Sequence, residues 1–344
     1  MNFLAACTPA ELAALCEEFG EARFRARQIA DFLFRQYEDR PEKMHTLPKP
    51  LQEKLLTRFP NPPCMVLQKV PSEDGAEKLL LGLHDGERIE MVLIPAADGR
   101  MTFCLSTQVG CPVRCAFCAS GSHGLKRNLD CGEIVGEFLA GCREWGRRPD
   151  NIVFMGIGEG LLNFDALSKS LTLFTVPDAF AMSPRRITVS TSGYVPGMRK
   201  LANLAKEFTL AVSLHAPSDA LRAKLIPENV RYPIADILDA ADEYREKSGR
   251  MVTLEYVLLA GVNDGEKEAA ALAKLSKEHG AKINLIAYNQ TPGSSFRRPE
   301  PKTIRRFETI LADAGCHVTL RCSKGGDSNA ACGQLTFAQN RDDV

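Results

Sequence analysis

From about residue 100 onward the chain alternates between two kinds of segment, and that alternation narrows its possible folds more than any other feature. Short apolar runs rich in β-branched residues recur: MTFCLSTQV (101–109), NIVFMG (151–156), RRITVSTS (185–192), FTLAVSLH (208–215), MVTLEYVLL (251–259), KINLIAYN (282–289) and HVTLRCS (317–323). Between them lie stretches of helical periodicity, such as CGEIVGEFLAGCREW (131–145) and KEAAALAKLSKEHG (267–280). Repeated βα units imply an α/β fold around a parallel sheet, barrel-like or doubly wound. Polar clusters fall at the C-terminal ends of the apolar runs: a cysteine loop, GIGEGLLN (156–163), STSG (190–193), SLHAP (213–217) and YNQTPG (288–293). In a βα barrel that face builds the active site, so the chemistry is expected on one rim.

The first 60 residues read differently. TPAELAALCEEF (8–19) opens with a helix start signal, ARFRARQIADFLFRQ (22–36) places Phe24, Ile29, Phe32 and Leu33 at helical spacing, and PKPLQEKLLTRF (48–59) adds a short helix. NPPC at 61–64 breaks the pattern. MVLQKV, EKLLLGLH and RIEMVLIP then suggest a small antiparallel sheet joined by Asp/Gly turns. The expected organisation is a helical accessory domain (1–60), a β linker (61–98), the βα core (99–325) and a C-terminal segment (326–344).

The chain has 344 residues, enough for one large domain plus a small one with real cores. Its N-terminus carries no basic leader, and no apolar run approaches the ~18 residues of a transmembrane helix, so a cytoplasmic protein without membrane contact is expected. Zero formal net charge argues neither for nor against nucleic acid. Basic spots do occur: RFRAR (23–27), LKRN (125–128), and seven Lys/Arg against three acids between Pro292 and Lys324. Each is a candidate phosphate contact or an ordinary solvated face.

Twelve cysteines without a secretory leader favour metal or redox chemistry over a disulfide framework. Cys7, Cys16, Cys64, Cys131, Cys142 and Cys316 are scattered as small core residues would be, and Cys322 has no partner spacing. GCPVRCAFCAS (110–120) is another matter, with Cys111, Cys115 and Cys118 in a C-x3-C-x2-C run. Three thiolates are one short of the four that normally hold a [4Fe–4S] cluster, leaving one iron open. A zinc site with a distant fourth ligand, His123 or Cys131, is the alternative.

With an aromatic, Phe117, before its last cysteine, this run resembles the radical S-adenosylmethionine (SAM) signature. The resemblance implies a partial (βα)6 barrel whose open iron is filled by SAM. STQVGCPVRCAFCAS, GLKRNL, NIVFMGIGEGLLN, ITVSTSG, LAVSLHAPSDALR, VTLEYVLLAGVND, INLIAYN and NAACGQL stand in the order seen in the adenosine carbon-2 methyltransferases of 23S rRNA and tRNA. The same order occurs in relatives that methylate carbon 8. FRARQIADFLFRQ resembles the accessory domain of these enzymes, and the likeness spans about residues 20–336.

The resemblance assigns Cys111, Cys115 and Cys118 to the cluster. It assigns Gly158, Glu159, Ser190, Ser213, Leu214, His215 and Asn289 to SAM, with the Glu159 carboxylate facing an ammonium. Cys332 matches the methyl-carrying cysteine, Cys104 its partner thiol, and Glu90 a proton acceptor. Carbon 2 of adenine is electron-poor and does not attack a methyl sulfonium. The family therefore first methylates the cysteine by displacement. A second SAM yields a radical that takes hydrogen from that methyl, and the resulting methylene radical adds to the ring. Loss of the ring proton and a Cys104–Cys332 disulfide release the product. RNA presenting an unstacked base, a low-potential donor such as flavodoxin or ferredoxin, and a monomeric enzyme are implied. Gly160 departs from the family's usual Pro. Another radical SAM reaction and a zinc-stabilised RNA-binding module are the competing readings.

Overall fold

The computed structural model describes residues 3–226, 232–291, 293–321 and 323–336. Cys322 and residues 337–344 of the C-terminal segment lie outside them.

Three helices open the chain: α1 (Pro9–Glu18), α2 (Phe24–Phe34) and α3 (Lys49–Arg58). Helix α1 starts where the sequence signals it, because Thr8 and Glu11 cap one another. Glu11 N donates to Thr8 Oγ1 at 3.2 Å and Thr8 N to Glu11 Oε2 at 2.7 Å. Helix α2 turns Ile29, Phe32 and Leu33 into the core, as their spacing predicts, whereas Phe24 at its first turn stays exposed.

Strands β1 (Cys64–Pro71), β2 (Glu77–Leu83) and β3 (Arg88–Pro95) follow as an antiparallel meander. They are continuous with the rest: β3 pairs antiparallel with β4 (Met101–Cys104), and from β4 onward the sheet is parallel. The run expected as one strand over 101–109 divides. After β4 the chain leaves the sheet and returns as β5 (Gln108–Gly110), which pairs with β6 (Leu125–Asn128) in a separate ribbon. That ribbon brackets the cysteine loop.

The core then runs α4 (Cys131–Trp145), β7 (Asn151–Phe154), α5 (Phe164–Thr175), β8 (Ile187–Thr191), α6 (Val195–Asn203) and β9 (Thr209–Ser213). It continues through α7 (Asp219–Leu225), α8 (Ile234–Ser248), β10 (Thr253–Leu258), α9 (Glu266–Glu278), β11 (Lys282–Ala287), α10 (Pro301–Asp313) and β12 (Val318–Arg321). The large sheet has ten strands in the order β1-β2-β3-β4-β7-β8-β9-β10-β11-β12. Strands β4 and β7–β11 form the partial (βα)6 barrel, and β12 adds a further parallel strand on β11. Helix α4 begins with an Asp130–Glu133 capping box and ends at Gly146, whose φ of 79° suits a left-handed cap.

One apolar core fills the sheet–helix interfaces. A smaller cluster of Val113, Phe117, Ala216, Leu225, Ile226, Val257, Leu259 and Tyr288 packs against Cys111, Cys115 and Cys118. The cysteine loop thus has its own apolar seat. Among the described residues, no helix is long and apolar enough to cross a membrane.

Candidate active site

The cysteine loop is held by backbone contacts from several directions. Cys111 N donates to Gly124 O at 3.0 Å, Ala116 N to Leu225 O at 3.0 Å, and Ala119 N to Gly333 O at 2.8 Å. A Cβ on Gly121 would stand 2.6 Å from Arg114 Cα, so only glycine lets the loop close on itself. All three cysteines line one cavity of about 170 Å³ at the C-terminal rim of the barrel. Burial pushes the Cys111 thiol up to about 12, Cys115 well above its usual value and Cys118 upward, and neighbouring thiolates add to each shift. Three half-buried thiols that repel one another as thiolates suit a strongly electrophilic metal centre. Among the described residues no three His, Cys, Asp or Glu side chains are arranged around a single ion. A cubane, with its ligands spread over separate irons, does not require that convergence. His123 and Cys131, the fourth ligands of the zinc alternative, do not line the cavity; Cys131 Sγ instead accepts from Ser170 Oγ at 3.4 Å.

Gly158, Glu159, Ser190, Ser213 and His215 line the same cavity. Gly158 has φ 112°, and a Cβ there would meet Gln108 Cβ at 2.7 Å, so both torsion and space demand glycine. Glu159 is buried, which raises its carboxyl, while Ser192 N donates to Oε2 at 2.6 Å and Leu161 N to Oε1 at 3.2 Å. The carboxylate is oriented by these bonds and retains lone pairs for a cationic ligand. His215 takes a left-handed φ of 57°, and its Nδ1 accepts from Val257 N at 3.1 Å. The proton therefore sits on Nε2, and burial followed by the Arg222 charge drives the pKa down to about 3. The residue is a neutral hydrogen-bond donor, set edge-on to Phe117 with ring centroids 4.9 Å apart. Leu214 is fully buried and does not line the cavity. A cavity walled by apolar rings, an oriented carboxylate and hydroxyls has the chemistry of a site for a zwitterionic nucleoside such as SAM.

Cys332 lines this cavity and also an adjoining one of about 210 Å³, where it is joined by Cys104. It therefore stands between the cysteine loop and a second thiol. Burial pushes Cys104 up to about 12, and a Cys332 thiolate beside it adds to the shift. Neither forms a disulfide, nor does any other described cysteine. Asn289 is not on the cavity wall. Its amide donates to Ser323 Oγ at 3.0 Å and to Cys332 O at 3.2 Å, so it holds the segment bearing Cys332. Glu90 lies in neither cavity: it is fully buried, with Oε1 2.9 Å from Lys78 Nζ and Oε2 accepting from Thr336 N at 2.8 Å.

Similarity to known proteins agrees with this geometry. The family model described as "Radical SAM superfamily" matches residues 105–273, and that of the "Ribosomal RNA large subunit methyltransferase N-terminal domain" matches residues 2–59. A probable dual-specificity RNA methyltransferase RlmN from Moorella thermoacetica is 45% identical over 96% of this chain and 96% of its own length. The chain belongs to the RlmN family of radical SAM methyltransferases. Another member, from Akkermansia muciniphila, is 39% identical over 99% of this chain and 97% of its own. A crystal structure of a radical SAM methyltransferase from Sphaerobacter thermophilus superposes with TM-score 0.94 at 43% identity, covering 98% of this chain and all of that one. Membership of the superfamily implies a [4Fe–4S] cluster and SAM as cofactors.

The family motifs leave out several cavity residues. Glu255 lines the wall from β10; its Oε1 accepts from Asn284 Nδ2 at 3.0 Å, and Oε2 has no hydrogen-bond partner among the described residues. An acid inside the apolar run VTLEYVLL was the signal for it. Arg321 lines both cavities, near Cys332, Glu255 and Cys104 in order of electrostatic influence. In sequence it was one arginine of a basic stretch.

Proposed function

We propose that this chain methylates carbon 2 of an adenosine in 23S rRNA and in tRNA, with Cys332 as the methyl carrier. One observation carries the reading: Cys332 lines the cavity of the three-cysteine loop and, on its other side, meets Cys104. A cysteine at that junction is placed to take a group on one side and release it on the other.

In this reading Cys111, Cys115 and Cys118 hold the cluster. Glu159 takes the ammonium of SAM, Gly158 leaves room for it, Ser190, Ser213 and His215 supply donors, and Leu214 and Asn289 support the rim. When bound, the cluster and SAM supply a transferable methyl and a one-electron route to a carbon-centred radical. The Cys332 thiol gives up its proton and its sulfur bonds the methyl. Arg321 lines both cavities and places a positive charge beside the two thiols. After the methylene carbon has joined the base, the adduct would return one electron to the cluster and lose its ring proton to Glu90, and the Cys104 thiolate then attacks the Cys332 sulfur. The C–S bond breaks, its electron pair stays on carbon and is protonated, and a disulfide remains. Glu90 serves as proton acceptor once Thr336 withdraws from its Oε2. The target base reaches the site unstacked from an RNA loop. A low-potential flavodoxin or ferredoxin delivers the electron, and the enzyme works in the cytoplasm, where its RNA substrates are, as a monomer.

The test is peptide mass spectrometry on anaerobically purified, cluster-replete protein. An added methyl on Cys332, absent when Cys111, Cys115 and Cys118 are replaced by Ala, is expected. Nucleoside analysis of treated RNA should then give 2-methyladenosine; 8-methyladenosine would move the chain to the carbon-8 branch. An unmodified Cys332 with a full cluster and ample SAM would sink the carrier reading.

A further inference from the structure

Strands β1–β3 take no part in the parallel barrel, yet they and their turns seat the segment that bears Cys332. Asp74 Oδ2 accepts from Gly325 N at 2.7 Å, and Asp327 accepts from Ser72 Oγ and, at 2.9 Å, from Glu73 N. The Asp327 contacts are exposed and the Asp74 contact is half-buried, and all lie at the turn joining β1 to β2. The buried contact is Lys78. Only 3% of this lysine is exposed, and a lysine is almost never buried unless paired. Its ammonium lies 2.9 Å from Glu90 Oε1 and donates to Asn329 O at 3.3 Å. Asn329 is three residues before Cys332 and has a left-handed φ of 52°. The second carboxylate oxygen of Glu90 receives Thr336 N, four residues after Cys332. One buried ion pair thus grips the loop on both sides of its cysteine. From the opposite side Ala119 N and Ser120 Oγ, next to the cysteine loop, donate to Gly333 O and Leu335 O at 2.8 and 2.7 Å.

We propose that Lys78 is a positioning residue for Cys332: held between the Glu90 carboxylate and the Asn329 carbonyl, it fixes the carrier loop where its thiol faces both the cofactor cavity and Cys104. The inference rests on the carrier reading for its catalytic consequence but not for its structural one. Lys78 touches neither cavity, so its loss spares the cofactor site and affects only the placement of the thiol.

The variants are Lys78→Met and the double variant Lys78→Met/Glu90→Gln. Breaking a buried pair on one side leaves a charge uncompensated, whereas neutralising both partners is close to neutral for stability. If the single variant does not fold, the double variant decides alone. Three quantities are measured: hydrogen exchange across residues 323–336, SAM affinity of the cluster-loaded protein, and the rate at which Cys332 gains its methyl. Exchange in that segment is expected to quicken about ten-fold or more, the equivalent of one charged hydrogen bond, with the barrel strands unchanged. SAM affinity should stay within about two-fold while methyl uptake slows by about ten-fold or more. Unchanged protection of 323–336 in a folded variant overturns the tie. Faster exchange with undiminished methyl uptake overturns the positioning role and leaves Lys78 a packing residue. Wild-type Cys332 that takes no methyl defeats the carrier reading alone, because exchange needs neither cluster nor SAM.

Discussion

Glu137 on α4 shows how far burial governs single residues here. It is 0% exposed, Ser106 N donates to its Oε2 at 2.9 Å, and Oε1 has no hydrogen-bond partner among the described residues. Burial holds the carboxyl well above its usual range. A folded pKa above the unfolded one contributes stability below about pH 4.5 that is lost as pH rises toward the folded value. Glu137→Gln keeps an acceptor for Ser106 N and removes the titration. Urea unfolding should find variant and wild type alike near pH 4.5. The variant should then gain up to about 1.4 kcal/mol per pH unit until the folded pKa is reached. A difference that is the same at pH 5 and pH 8 would mean that Glu137 does not titrate. This residue was not singled out from sequence, because an acid in EIVGEFLAG looks like a helix surface until α4 is seen buried from Cys131 to Cys142.

Two elements carry tests of their own. Helix α4 packs through glycines: a Cβ on Gly136 would stand 2.6 Å from Pro63 Cγ, and one on Gly141 2.7 Å from Phe103 Cε2. Gly136→Ala gains about 1 kcal/mol of helix propensity, but overpacking against a rigid proline ring costs about 1–3 kcal/mol. A net loss of roughly 1 kcal/mol or more is expected in denaturant unfolding; a stabilised variant would mean that Pro63 gives way. The loop after β7 makes the opposite case. A Cβ on Gly160 meets Leu167 and Thr107 at no closer than 3.4 Å, ordinary contact, and Glu159 before it is extended, as a residue before proline must be. Gly160 opens a short helical turn, where proline is tolerated. Gly160→Pro should raise stability by about 0.4–1 kcal/mol with SAM affinity unchanged, so the departure from the family's usual residue is benign. Weakened SAM binding in the variant would show instead that the loop needs its freedom.

Across the whole molecule, the basic spots of the sequence separate once their neighbours are visible. Lys126 pairs with Glu87, Arg127 with Asp85 and Glu133, Arg306 with Glu266, and Lys302 with Glu300. Arg321 has gone inside to the cavities. Arg23, Arg25 and Arg27 make no ion pair among the described residues. Arg23, Arg27, Arg35 and Phe24 line a groove along α1 and α2, and the Arg25 guanidinium stacks 4.6 Å from the exposed Phe24 ring. Asp31 and Asp178 line the same groove, but arginines without an ion pair beside an exposed aromatic suit an RNA backbone and an unstacked base. Replacing the three arginines with Gln should lower the slope of log affinity for RNA against log salt by roughly 2, at about 0.7 per phosphate contact, without changing SAM affinity. An unaltered slope would remove this face from the RNA path.

What the sequence determined by itself is what short-range patterns encode. The βα alternation, the capped start of α1, the amphipathic face of α2 and the cysteine loop at a strand end all follow from periods of a few residues. Each was legible and each is present in the structure. Family motifs added Cys104, Cys332 and the polar rim. Tertiary structure decided which of these meet. Cys332 reaches the cavity because Lys78, Glu90, Asn289 and Ser120, distant from it in the chain and from one another, hold one loop in place. Asn289 Nδ2 donates to that loop, and Glu255 becomes a cavity carboxylate only because β10 turns it inward. Contacts of this kind have no period and no local composition. They exist only after the sheet has closed, when burial makes each unpaired charge or carbonyl costly enough to select one partner.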